Sequence, residues 1–217
     1  MKYDLCLFDL DGTLVNTLDD LTDAVNAALM HYGYPSTGRA EVSAAVGHSV
    51  AYMCRELLPS EDADRQRDVA REFYACYGAH LCDKSRPYEG VLRALQTLRA
   101  AGLRLAVVSN KPHAHTVKLL AALFPSDMFS IVLGRMEKFK LKPDPDSLLF
   151  VLDYLHVPPE RAVYVGDSDV DVDFARHAGV DCVSVSWGLR GRRVLETAGA
   201  ACIIDDAGEL AEKVLLS

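Results

Sequence analysis

The apolar and polar positions of the chain change their period several times, and each change marks a structural element. Leu5 to Leu10 is apolar apart from Asp9 and runs into a glycine turn, the pattern of a buried strand. From Thr17 the period lengthens. Leu18, Leu21, Val25, Leu29 and Tyr32 share one helix face, Thr17 and Asp20 have the spacing of a capping box, and Gly33 and Pro35 end the helix. A second helical pattern covers Ala51 to Leu58. Ser60 is placed to cap a third, with Val69, Phe73, Tyr77 and His80 on its stripe. Residues 16–83 therefore read as helical, with no strand signal.

After Pro87 strands and helices alternate. Val91 to Ala101 reads as a helix closed by Gly102, Arg104 to Val108 as a strand, and His115 to Leu123 as a helix. Ile131 to Leu133 is a short strand and Asp146 to Leu155 a helix. Ala162 to Val165 is a strand, followed by a helix over Val172 to Ala178. Cys182 to Val185 and Ala201 to Ile204 are further strands, and Glu209 to Leu216 is the last helix. This alternation predicts an α/β fold: a doubly wound, Rossmann-like parallel sheet covered on both faces. Residues 1–15 and 84–217 would form that core, and residues 16–83 an all-helical insertion.

Composition narrows the partners. The 217 residues carry a formal net charge of -8, which disfavours a nucleic-acid backbone or an anionic membrane as partner. An anionic ligand must then be met by local positive groups. No apolar run approaches the length of a membrane span or of a signal segment, so a cytoplasmic protein is expected. Six cysteines lie within apolar patterns without a C-x-x-C pair and read as reduced core residues.

In a doubly wound sheet, ligands bind beyond the carboxyl ends of the strands. The first predicted strand ends in Asp9-Leu10-Asp11-Gly12-Thr13, the second in Ser109-Asn110-Lys111, and the fourth in Gly166-Asp167-Ser168-Asp169-Val170-Asp171. Lys142-Pro143 opens a helix between them. Carboxylates, a hydroxyl, an amide and a lysine thus converge on one edge. An aspartate can attack phosphorus, and a neighbouring carboxylate can protonate the leaving oxygen and later activate water. Crowded carboxylates call for a hard cation such as Mg2+, and developing charge on a phosphoryl group calls for donors such as Ser109, the Asn110 backbone and Lys142. Taken singly, Asp9 and Asp11 also suit a strand-end turn, Ser109-Asn110 a helix cap, and Lys142 the surface.

These four segments, in this order, resemble the motifs of the haloacid dehalogenase superfamily, and the helical insertion resembles its small cap domain. The resemblance covers essentially the whole chain. It implies Asp9 as nucleophile and metal ligand, and Asp11 as general acid and base with its backbone carbonyl on the metal. It implies Thr13 as the residue that steadies the turn and Asp11, and Ser109, Asn110 and Lys142 as phosphate-binding. Asp167 would complete the Mg2+ site, and Asp171 would tie Lys142 or a metal-bound water in place. Asp169 is left open as a further neighbour of the metal, and Asp173 reads as a solvated first-turn residue.

Asp11 disfavours dehalogenation, since dehalogenases lack that second aspartate. The absence of lysine from Val15 to Cys82 counts against a phosphonatase, whose cap lysine forms a Schiff base. Thr13 stands where β-phosphoglucomutases commonly carry valine. Asn16-Thr17, Val107 to Pro112 and Tyr88 to Val91 look most like phosphoglycolate phosphatases. The expectation is hydrolysis of a small phosphorylated metabolite through an aspartyl-phosphate, by a monomer or homodimer. A phosphomutase and a non-catalytic phosphate-binding protein are the alternatives. Gly47, His48, Ser49 and Arg55 are candidates for substrate selection, against a plain turn and an exposed arginine. His113 and His115 read as solvated or helix-start residues.

Overall fold

The computed structural model describes residues 2–47, 50–58 and 62–216. Six strands form one parallel sheet: β1 (Leu5–Phe8), β4 (Arg104–Pro112), β5 (Ile131–Arg135), β6 (Ala162–Gly166), β7 (Asp181–Val185) and β8 (Ile203–Ile204). Their order is β5-β4-β1-β6-β7-β8, so the first strand lies inside the sheet and the crevice at its carboxyl end is flanked by β4 and β6. Leu5 pairs with Arg104 on one side and Ala162 on the other.

Strand alternation splits the core into two layers. Cys6, Phe8, Leu105, Val107, Val163 and Val165 pack on one face. Leu5, Leu7, Ala106, Val108, Ala162 and Tyr164 pack on the other. The helices α5 (Val91–Ala100), α6 (His113–Leu123), α7 (Asp146–Leu155), α8 (Asp169–Ala178), α9 (Arg192–Thr197) and α10 (Gly208–Leu215) belong to this part of the chain. Each fully buried Leu, Val or Phe here contributes roughly 1.5–3 kcal/mol.

The chain leaves the sheet through β2 (Val15–Asn16) and returns through β3 (Arg86–Pro87), which pair antiparallel as a two-stranded ribbon. Between them lie α1 (Leu18–His31), α2 (Arg39–Ala45), α3 (Val50–Leu57) and α4 (Ala63–Ala79). Val25, Leu29, Met53, Cys54, Val69 and Phe73 form the interior of this helical block.

Several local expectations need correction. Thr17 and Asp20 do not form a capping box. The Thr17 hydroxyl donates to Asp11 Oδ1 at 2.7 Å, and Asp20 accepts from the amides of Lys84 and Ser85 instead. Ser60 lies outside the described residues, and Asp62 caps α4 by accepting from the Asp64 and Arg65 amides. His80 is not on the buried stripe of α4; it ends the helix exposed and pairs with Asp83. Helices α2 and α9 carried no clear period because they are short. All six cysteines are free, with Cys6 and Cys54 buried and the other four half-buried. No helix among the described residues is long and apolar enough to cross a membrane.

Candidate active site

The carboxyl ends of β1, β4 and β6 bring the charged residues together. Asp9 follows β1 directly and is 6% exposed. Its Oδ1 lies 2.9 Å from Lys142 Nζ, yet it accepts no aligned hydrogen bond. Burial, and to a lesser degree Asp171, push its carboxyl up to about 6, against the opposing pull of Lys142. Asp167 is pushed well above the carboxylate range by burial and by the charges of Asp171 and Asp9. One oxygen each from Asp9, Asp167 and Asp171 falls within 4.8 Å of the others. Three buried hard-oxygen donors, with the Asp9 and Asp167 carboxyl groups both raised, fit a divalent cation such as Mg2+.

The turn after Asp9 is shaped by this crowding. Gly12 has φ +88°, and a side chain there would overlap the Asp167 carboxylate. Thr13 does not hold Asp11. Its hydroxyl donates to Asp167 Oδ1 at 3.1 Å, because the turn carries it toward β6. Asp167 is further held by the Leu189 amide at 2.7 Å. Gly188 lies against it so closely that a β-carbon would overlap both Asp167 and the Gly12 carbonyl. Trp187 donates to the Thr13 carbonyl at 3.1 Å.

Lys142 is buried, and its ammonium meets Asp171 Oδ1 at 2.7 Å and the Tyr164 hydroxyl at 2.9 Å. Burial opposes its charge, but Asp171 and Asp9 outweigh burial and hold its pKa above the usual value. Asp171 serves twice. Besides holding Lys142, it accepts from the amide and hydroxyl of Ser168, which closes the capping box of α8. Asp169 stands apart from this cluster, with its carboxylate toward Arg190, and Asp173 pairs with Arg176.

The irregular end of β4 carries Ser109, Asn110 and Lys111 to the cavity. Ser109 is not a helix cap, since α6 starts at His113 and the Ser109 hydroxyl accepts from the Lys111 amide. The Asn110 side chain is a clamp: Oδ1 accepts from the Lys142 amide at 2.8 Å, and Nδ2 donates to the carbonyls of Lys142 and Gly47. Lys111, which the strand-end pattern contained without a role, donates to Asp11 at 2.9 Å and to the Tyr77 hydroxyl at 2.6 Å.

The helical block closes the other side. Leu21, Val46, Met53, Phe73, Tyr74 and Tyr77 line the cavity, which spans about 580 Å³ including its mouth. Gly47 stands at this wall, while His48 and Ser49 lie outside the described residues. Arg55 is not brought to the cavity. It is exposed on α3, beside Glu56 and over the Tyr52 ring. His113 is the first residue of α6, half-buried, with its Nδ1 accepting from the Gly134 amide, and His115 lines the cavity against Tyr77. Ser43 donates to the Leu189 carbonyl and Arg190 to the Ala44 carbonyl, so the loop that holds Asp167 also grips α2. Nothing in the local sequence around Gly188 and Leu189 marks this role.

A buried carboxylate at a strand end, a neighbouring acid, a fixed lysine and an acidic cluster meet at the crevice of a doubly wound α/β sheet, the arrangement of a hydrolase. Residues 6–185 match the family model for haloacid dehalogenase-like hydrolases, and the chain belongs to that family. Its relatives there are phosphatases, and so is this chain. It is 33% identical over 207 residues to a phosphoglycolate phosphatase of Pseudomonas putida, covering 93% of this chain and 76% of the relative. It is 32% identical to one from Haemophilus influenzae, covering 96% and 97% of the two chains. Among solved structures, a protein from Lactobacillus delbrueckii subsp. bulgaricus superposes with a TM-score of 0.93 at 31% identity, over 99% of each chain. A predicted phosphoglycolate phosphatase from Haemophilus somnus gives 0.91 at 29% identity, also over 99% of each.

Proposed function

We propose that this phosphatase hydrolyses a small phosphomonoester, phosphoglycolate first among the candidates, through an aspartyl-phosphate on Asp9. The observation that carries the proposal is the Asp9 carboxylate. It is buried at the head of the cavity, with one oxygen free of aligned hydrogen bonds and Lys142 beside it. An Asp9 oxygen attacks phosphorus and the bond to the leaving oxygen breaks, while Asp11 gives that oxygen a proton. Asp11 then takes a proton from water, whose oxygen displaces Asp9 and releases inorganic phosphate. Ser109 and Lys142 hold the phosphoryl oxygens, and the clamp of Asn110 on the Lys142 backbone keeps both in register.

Asp9, Asp167 and the Asp11 carbonyl would hold Mg2+, with Asp171 bracing Lys142 behind them. When bound, Mg2+ offsets the charge of the acidic cluster and of the phosphoryl oxygens. Residues 16–83 would act as a cap that shuts the cavity during attack, hinged at the ribbon of β2 and β3. The names of the relatives support the substrate, and a cytoplasmic location accords with it.

The test is phosphate release from phosphoglycolate and from p-nitrophenyl phosphate. Activity should require Mg2+, vanish with a chelator and return on its readdition. Asp9→Asn should lower kcat by a factor of about 10³ or more, and Asp11→Asn by roughly 10²–10⁴, the scale of general acid–base catalysis. Retention of activity by Asp9→Asn would exclude the covalent mechanism.

A further inference from the structure

Lys111 takes no part in the chemistry above, yet its placement is costly. Its side chain is 3% exposed, and a buried ammonium without a charged partner costs several kcal/mol. It is held by Asp11, at 2.9 Å from Oδ1 and 3.2 Å from Oδ2, and by the Tyr77 hydroxyl at 2.6 Å. Burial opposes its charge, and Asp11 with Tyr77 outweighs burial. The neighbouring wall supplied by the helical block is apolar or aromatic, so the ammonium stands out on it.

Lys111 and Lys142 are the two lysines lining the cavity, and no arginine lines it, among the described residues. Lys142 already faces three oxygens, from Asp171, Tyr164 and Asp9. Lys111 shares a single carboxylate. His115, in the first turn of α6, lines the same cavity, and its buried Nδ1 has no hydrogen-bond partner.

We propose that Lys111 is a specificity-determining anion site, which receives a carboxylate carried by the leaving group within one or two carbons of the ester oxygen. This rests on the proposed roles of Asp9 and Asp11. If Asp11 serves the leaving oxygen, the residue that touches Asp11 sits beside the next atoms of the leaving group. A carboxylate there exchanges one Asp11 oxygen for a substrate oxygen on the ammonium. A neutral leaving group of the same size gains nothing from it. The substrate class is therefore the phosphate esters of short hydroxy-carboxylic acids. Tyr77 comes from α4, so the ammonium has its full set of partners only with the helical block seated over the core.

The experiment compares phosphoglycolate with its neutral analogue 2-hydroxyethyl phosphate, with Mg2+, in wild type, Lys111→Met and Lys111→Gln. Wild type should prefer the acid. Both variants should shrink the ratio of the two kcat/KM values by roughly tenfold or more, the scale of one charge-assisted hydrogen bond. A loss shared equally by the two substrates reports only a displaced Asp11 and overturns the proposal. Lys111→Gln keeps a donor for Asp11 and Tyr77, so it provides the ratio even if the methionine variant folds poorly. Glycolate should inhibit p-nitrophenyl phosphate hydrolysis by wild type more than ethylene glycol does, and this difference should disappear in the variants. A wild type inactive on every ester removes the phosphatase mechanism and this site with it. An active wild type whose ratio matches that of both variants removes only the role of Lys111.

Discussion

Asp20→Ala tests how the helical block is fastened to the sheet. Asp20 sits in the first turn of α1 and is 2% exposed. Its carboxylate accepts from the Lys84 amide at 2.9 Å, the Ser85 amide at 2.8 Å and the Ser85 hydroxyl at 2.6 Å. One side chain thus staples the start of α1 to the segment that returns to the sheet, next to the ribbon of β2 and β3. Alanine leaves the Ser85 amide and hydroxyl buried without a partner, at about 1–3 kcal/mol each. Lys84 is exposed, so its amide regains water. The desolvation of a buried carboxylate is also relieved, which returns part of the loss. The net expectation is a loss of about 2–5 kcal/mol. For a chain of this size that lowers the melting temperature by about 4–20 °C, at roughly 2–4 °C per kcal/mol. Asp20→Asn, which keeps one acceptor oxygen, should fall between the two. The assay is thermal unfolding followed by circular dichroism, with urea unfolding as the second probe. An alanine variant melting within about 2 °C of wild type would refute the reasoning.

Three further outcomes are expected. Tyr164→Phe removes the hydroxyl shared by Lys142 and the Val108 carbonyl; it should cost about 1–2 kcal/mol in urea unfolding and lower kcat through a less well held Lys142. Gly188→Ala forces a β-carbon against Asp167 and the Gly12 carbonyl; it should cost about 1–3 kcal/mol or more and weaken the proposed binding of Mg2+, measured as a rise in the Mg2+ concentration for half-maximal rate. Asp181 is held below its usual carboxylate range by hydrogen bonds from Lys2 and Tyr3. A depressed carboxylate stabilises the fold above its unfolded pKa, and that contribution is lost as pH falls through the folded value. Asp181→Asn should therefore cost no more than about 1 kcal/mol at pH 7, since the pair is half exposed, and the difference from wild type should fade below about pH 4.

The order of elements and the line of chemistry along the sheet edge were legible in the sequence for a physical reason. Strand alternation and helix period follow from burial, and Leu5 to Phe8, Arg104 to Val108 and Ala162 to Val165 each carry that signal themselves. The carboxyl ends of parallel strands must share an edge, so Asp9, Ser109 and Asp167 could be grouped before any contact was known. What hydrogen bonds each polar group makes was not legible. Thr17, Asp20 and Thr13 have local spacings that suit caps and turns, but each spends its oxygen on a partner that only the fold delivers: Asp11, Ser85 and Asp167. Short α2 and α9 lack enough turns to show a period. Gly188 and Leu189 act on Asp167 through backbone and closeness, which leave no side-chain signature.

By itself, then, the sequence determined the parallel α/β sheet, the helical insertion and the set of acids and lysines, because periodicity and strand-end placement are properties of neighbouring residues. Tertiary structure alone decided which lysine serves which carboxylate. Lys142 pairs with Asp171 and Asp9, while Lys111 pairs with Asp11 and with Tyr77 from the far side of the cavity. Those pairings join residues as far apart as Asp9 and Lys142, and no local pattern encodes a contact that exists only once the strands are assembled and, for Tyr77, the helical block has folded back over the sheet.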